Sequence, residues 1–257
     1  MFASDSPLTA RVVPSPNHGE RRGGAADMLL LHYTGMESAE AALARLCAAD
    51  SAVSTHYFVF EDGRIVQSVP EARRAWHAGE SSWHGETDIN SRSIGIEIAN
   101  RGHEWGYDDF PAAQVAAVVS LARDIVERNA IPAHRVLGHS DVAPTRKWDP
   151  GEKFPWERLA SAGVGLWVPP EPISGGGGLT MDDTGPAVAD LQGQLADYGY
   201  GLPASGTFDA LTRDVVQAFQ RHFRPARVDG IADVSTRATL AKLLRARLDG
   251  RVSWGAP

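Results

Sequence analysis

His139, Lys147 and Asp149 fall within one fourteen-residue stretch, Gly138-His139-Ser140-Asp141-Val142-Ala143-Pro144-Thr145-Arg146-Lys147-Trp148-Asp149-Pro150-Gly151. It holds an imidazole, two carboxylates and an ammonium, broken by two prolines and two glycines. So many polar and turn-forming residues in one place suit a loop that folds back on itself, not a core segment. Such a loop can aim His139, Lys147 and Asp149 at one point. His32, near the end of the apolar run Met28–Thr34, is a further imidazole on a segment of strand length.

Two histidines and an aspartate are a ligand set for zinc, which accepts imidazole nitrogen and carboxylate oxygen and keeps a fourth position for water in catalytic sites. With two neutral imidazoles and one carboxylate the ion keeps a net charge of about +1, suited to polarising a carbonyl and acidifying water. The residues alone leave a plainer reading open, a hydrogen-bonded histidine at a strand end and an aspartate in a turn. Glu97 lies in Ser93-Ile94-Gly95-Ile96-Glu97-Ile98-Ala99-Asn100, where Ile94, Ile96 and Ile98 face one way and Gly95, Glu97 and Ala99 the other. A carboxylate among such small residues on a central strand is expensive unless paired or used; on an edge strand it would simply meet water. Beside a metal-activated water, Glu97 would serve as general base. Lys147 would stabilise an oxyanion or protonate a leaving amine, or be a solvated loop charge.

The elements that must position these groups follow from patterning. Continuous apolarity in Met28–Thr34 predicts a strand buried on both faces. Glu37–Ala49 reads as a helix that buries Cys47 as a small residue. His56–Phe60 and Arg64–Val69 flank Glu61-Asp62-Gly63 as a hairpin. Trp76–Asn90, rich in Trp, His, Gly and Ser without periodicity, reads as a long functional loop. A helix is expected from Pro111 to about Asn129, and a short one over Phe154–Ser161. Residues before Gly24 read as an extended arm. The fold class is α/β, a central mixed sheet flanked by helices.

Composition sets outer limits. The 257 residues are 43% hydrophobic and 22% charged, enough for one large or two smaller domains with real cores. A net charge of −7 excludes a basic nucleic-acid or anionic-membrane footprint, so no nucleic-acid partner is expected. One cysteine excludes intrachain disulfides and a cysteine zinc cluster. No run has the length of a membrane span. The first residues lack a signal-peptide pattern, which points to the cytoplasm.

At Val168–Ser174 prolines accumulate, followed by four glycines, Gly175–Gly178, a linker that is stiff and then flexible. Domains are therefore expected at 1–167 and 179–257, joined by 168–178. The whole negative excess lies before Leu179, because the tail carries nine basic and nine acidic residues. Helices are expected over Pro186–Tyr198, Ala210–His222 and Ser235–Leu248. Two repeats, Gly206-Thr-Phe-Asp209-Ala-Leu-Thr212 and Gly230-Ile-Ala-Asp233-Val-Ser-Thr236, precede the last two, each with an aspartate placed to N-cap its helix.

The motifs Leu30-Leu31-His32-Tyr33-Thr34, Ala75-Trp76-His77-Ala78-Gly79-Glu80-Ser81, Asn90-Ser91-Arg92-Ser93-Ile94-Gly95-Ile96-Glu97 and Gly138–Gly151 together resemble the zinc N-acetylmuramoyl-L-alanine amidases of type 2. The resemblance runs from about residue 11 to 165, and Ser15–Arg21 looks like the family's N-terminal arm. It implies one zinc per chain on His32, His139 and Asp149, Glu97 as base, and Lys147 at the oxyanion or as proton donor. Asp149, where phage-type relatives carry cysteine, implies the AmpD/AmiD branch. Trp76, His77 and Thr34 are expected to contact substrate, although Trp76 suits packing equally well. Asp141 is left as a loop-structuring residue. From Gly185-Pro186 onward the tail resembles type-1 peptidoglycan-binding domains, which are three-helix bundles; Arg221–Arg227 departs from that pattern.

The resemblance thus implies a monomeric hydrolase of the bond between N-acetylmuramic acid and L-Ala, with peptidoglycan or muropeptides as partner. Such a binding tail favours a periplasmic or outer-membrane setting, against the cytoplasmic reading of the N-terminus. Competing readings are a metal-free peptidoglycan-recognition protein and a zinc peptidase that cuts within the stem peptide.

Overall fold

In the computed structural model, which describes residues 2–249, a six-stranded sheet forms the centre. Its strands are β1 (Arg11–Val12), β3 (Met28–Tyr33), β4 (Tyr57–Val59), β5 (Ile65–Gln67), β7 (Ser93–Ile98) and β8 (Val136–Gly138), in the order β1-β5-β4-β7-β3-β8. Only β4 and β5 run antiparallel, as the hairpin patterning required; the other four pairings are parallel. The N-terminal arm is more than a lead-in. It contributes the edge strand β1 and then β2 (His18–Glu20), which pairs with β6 (Arg73–Ala75) in a small second sheet.

The two faces of the central strands differ as their alternation demands. Leu29, Leu31, Ile94, Ile96 and Ile98 pack on one face against Val118, Leu121, Ala122 and Ile125 of helix α3 (Ala112–Asn129). Helix α1 (Ala39–Cys47) covers part of the other face, with Leu43 and Leu46 near Phe58 and Val66. Ser38 caps α1 by accepting the Ala41 N–H, and Cys47 ends it half-buried. A short helix α2 (Ile89–Arg92) closes the irregular stretch after Trp76. With β7 flanked by β4 and β3, Glu97 stands on a central strand and not on an edge.

The stretch expected to be a loop begins with a helical turn, α4 (His139–Val142), directly after β8. Gly138 ends the strand and Pro144 blocks continuation, so one turn is all that fits. Helix α5 (Trp156–Ser161) follows. The C-terminal helices are α6 (Pro186–Tyr198), α7 (Ala210–Phe223) and α8 (Val234–Asp249). Asp209 and Asp233 accept the N–H groups of Thr212 and Thr236 at 2.8 and 2.7 Å, the capping that the repeats called for. These helices do not stand apart from the sheet. Val188, Leu191, Phe219 and Leu240 share one core with Met28, Leu30 and Leu137, which lie on the sheet face opposite α3.

Candidate metal centre and active site

The parallel pairing of β3 with β7 sets His32 opposite Glu97, so the two side chains leave the same face of the sheet near the strands' carboxyl ends. His139 begins α4 at the end of the neighbouring strand β8. Asp149 returns to it through a bond from the Ser140 N–H to its own carbonyl, at 2.9 Å. Glu97, His139 and Asp149 thus line one cleft of about 530 Å³, where Lys147 forms part of the wall, and His32 lies buried against His139 and Asp149.

His32 Nδ1, His139 Nδ1 and Asp149 Oδ2 stand 2.9–3.1 Å from one another, and all three side chains are buried. The outward nitrogens fix the tautomers. His139 Nε2 lies 3.0 Å from the Ala78 carbonyl, which can only accept, so Nε2 carries the proton and Nδ1 is bare. Ser93 Oγ donates to the Ile89 carbonyl at 2.6 Å and can accept from His77 Nε2 at 3.4 Å. His77 Nδ1 is then free to accept from His32 Nε2 at 3.0 Å, which leaves His32 Nδ1 bare as well. Burial, reinforced by the neighbouring His139, pulls the His32 pKa down to about 4 and keeps the ring neutral.

Two bare imidazole nitrogens and a carboxylate oxygen facing one another repel unless a cation sits among them. Tetrahedral ligands at about 2.0–2.1 Å from zinc are separated by about 3.3 Å, close to the spacing here. The set is able to hold a metal ion.

Glu97 opens to the same cleft, yet its Oε2 is shut from solvent and has no hydrogen-bond partner among the described residues. Burial, then the charge of Asp149, raises its pKa well above the ordinary 4.5, against a smaller opposing pull from Lys147. A half-buried carboxylate with one oxygen shut from solvent and unpartnered, beside a set able to hold a cation, is suited to accept a proton. Thr34, Trp76 and His77 all line the cleft, and His77 also lies against His32. Thr34 Oγ1 donates to the Asn100 carbonyl at 2.9 Å. A Cβ on Gly95 would meet the His77 ring at 2.8 Å, so the absence of a side chain there makes room for it. Sequence reasoning did not find His77 as the support of His32; the two are 45 positions apart, and no local pattern links them.

Comparison with known proteins bears directly on this site. Residues 22–152 match the N-acetylmuramoyl-L-alanine amidase family model, a span that contains His32, Glu97, His139, Lys147 and Asp149. The chain belongs to the N-acetylmuramoyl-L-alanine amidases. The amidase is 40% identical to the N-acetylmuramoyl-L-alanine amidase AmiD of Escherichia coli over 84% of its own length and 82% of the relative's. It is 42% identical to the 1,6-anhydro-N-acetylmuramyl-L-alanine amidase AmpD of Citrobacter freundii over 42% of its length and 55% of that protein. A solved complex of E. coli AmiD with anhydro-N-acetylmuramic acid-L-Ala-D-γ-Glu-L-Lys superposes with a TM-score of 0.74 at 38% identity, covering 88% of the amidase and 92% of that chain. AmpDh3 of Pseudomonas aeruginosa gives 0.73 at 31% identity, over 96% and 99% of the two chains. Residues 184–240 match a peptidoglycan binding domain model. Among the described residues, no helix is long and apolar enough to cross a membrane.

Proposed function

We propose that the amidase holds one zinc ion on His32, His139 and Asp149 and hydrolyses the amide between the lactyl group of N-acetylmuramic acid and L-Ala in muropeptides, the 1,6-anhydro form included, during cell-wall recycling. The observation that carries this reading is the convergence of two bare Nδ1 atoms and Asp149 Oδ2 beside the unpartnered Glu97 carboxylate. Zinc, when bound, polarises a carbonyl and makes water acidic enough to deprotonate near neutral pH. Glu97 takes that proton as the water attacks and delivers it to the departing L-Ala nitrogen. Lys147 faces the charge that develops on the carbonyl oxygen. His77 holds the His32 ring in its ligating tautomer. Thr34 and Trp76 contact the substrate along the cleft.

The anhydro-muropeptide bound in the AmiD complex supports the substrate class, as does the anhydromuramic pentapeptide in a complex of AmpDh3. The C-terminal helices, in turn, would bring the enzyme to peptidoglycan through the segment that matches a peptidoglycan binding domain. Mass spectrometry of digests, run in parallel on anhydro-muropeptides and polymeric sacculi before and after chelation, tests the whole reading. Release of intact peptides beginning at L-Ala, abolished by chelation, is expected. Peptides cut internally would overturn it in favour of a peptidase, and no release at all in favour of a binding protein.

A further inference from the structure

One buried carboxyl group ties the C-terminal helices to the stretch that carries His139 and Asp149. Asp141, on α4, is fully buried and accepts three hydrogen bonds, each of 2.7 Å. One comes from the Gly138 N–H, at the junction where β8 turns into α4 just before His139. The other two come from across the chain: Tyr200, just past α6, donates its hydroxyl, and His222 on α7 donates Nδ1–H. Burial, together with the adjacent Asp141, pushes the Tyr200 phenol well above its ordinary pKa, so it keeps its proton and stays a donor.

Both donors are themselves held. The His222 ring is stacked between Trp156 at 3.7 Å and Phe223 at 3.8 Å, nearly parallel to each. Tyr200 lies against the buried Trp83, and the His84 N–H donates to the Gly199 carbonyl at 2.8 Å. Next to His222, Arg221 reaches the far end of the same stretch, with its guanidinium over the Trp148 ring at 5.5 Å and 3.8 Å from Glu152. Helix α7 therefore grips the ligand-bearing stretch on both sides of the active centre.

We infer that Asp141 is a positioning residue for His139, and that His222 and Tyr200 of the C-terminal segment, by holding Asp141, are part of what keeps the metal site in its ligating geometry. The inference rests on His139 being a zinc ligand. Asp141 touches no reacting group: it pins the Gly138 N–H, the pin orients the first residue of α4, and that residue is His139. Groups that orient metal ligands typically change metal affinity or turnover by about 10–100-fold when removed. The C-terminal segment is thus a structural part of the catalytic centre as well as a means of finding the cell wall.

The test uses the full-length chain and two substitutions of one residue. His222→Phe keeps an aromatic ring between Trp156 and Phe223 but removes the donor. His222→Asn loses the ring but places an amide donor near the position of Nδ1. Zinc affinity is measured by chelator competition, the visible spectrum of the Co2+-loaded protein reports ligand geometry, and kcat and KM are measured separately on an anhydro-muropeptide. His222→Phe is expected to lower zinc affinity and kcat by about tenfold with KM nearly unchanged and the Co2+ spectrum altered, while His222→Asn recovers most of both. Unchanged zinc affinity and kcat in His222→Phe, or equal losses in both variants, would overturn the inference. If neither folds, Tyr200→Phe, which removes one hydroxyl, reads the same quantities, and wild-type values there would overturn it as well. His139→Ala is the control for the underlying assignment: zinc bound with undiminished affinity by that variant refutes His139 as a ligand, whatever His222 does.

Discussion

His32 and Glu97 are register partners on adjacent parallel strands, so a buried imidazole and a half-buried carboxylate stand side by side on one face of the sheet. Backbone pairing alone holds them one strand spacing apart, about 4.8 Å. The division of labour between them is testable by removing only the charge. Glu97→Gln preserves shape and leaves the three ligand atoms alone, so zinc content by atomic absorption should match the wild type while kcat falls by about 10²–10⁴-fold. Near-native turnover in this variant would remove Glu97 as the base.

The same carboxylate makes stability depend on pH in the metal-free protein. Its pKa is raised on folding, first by burial and then by Asp149. Stability is therefore undiminished below the ordinary carboxyl value and is lost as pH rises through the folded value. Metal-free Glu97→Gln should accordingly exceed wild type in Tm at neutral pH, with the gap closing as pH falls toward about 4.5. A gap that widens on acidification would contradict the raised pKa.

Removing a ligand should cost the metal itself. His139→Ala and Asp149→Ala are expected to purify with little zinc and to lose activity that added zinc does not restore at ordinary concentrations. Wild-type protein stripped by chelation should instead recover on re-addition, and its Tm should climb with zinc concentration because only the folded chain offers the site.

Lys147 separates charge stabilisation from metal binding. Lys147→Ala should lower kcat by about 10²-fold with zinc content unchanged. If zinc affinity fell in parallel with kcat, Lys147 would be a support of the site and not a partner of the developing charge.

Trp83 and Gly199 give a stability prediction at the junction between sheet and C-terminal helices. Trp83 is fully buried against Tyr198 and Tyr200, and Gly199 has φ near +145°, where a Cβ would meet the Trp83 ring at 2.4 Å. Trp83→Ala should destabilise by about 3–5 kcal/mol in urea titration. Gly199→Ala should also destabilise, because it adds both a forbidden backbone angle and a collision.

Much of the site was legible because its signals are local. The period-two alternation around Glu97 told which face it would take, and the apolar run ending at His32 told that its strand would be central. The last two helices of the tail followed from their capping aspartates. What escaped was long-range. That His77 backs His32, or that His222 meets Asp141 across 81 positions, depends on how layers stack, which no window of sequence encodes. The turn α4 is too short to show a helical period. Arg221–Arg227 stood out as irregular because its demands come from elsewhere: Arg221 and His222 face the stretch that carries His139 and Asp149, while Arg224 is buried beside Asp233 and donates to Thr236.

His32, Glu97 and His139 all sit where parallel strands end, and the segments that wall the cleft depart from those same ends. Connections at the carboxyl edge of such a sheet can lengthen, shorten or change composition without disturbing strand register. The architecture thereby separates two evolutionary problems: the reacting atoms are anchored to pairing that tolerates almost no drift, while the surfaces that choose a glycan or a peptide are free to diversify around them.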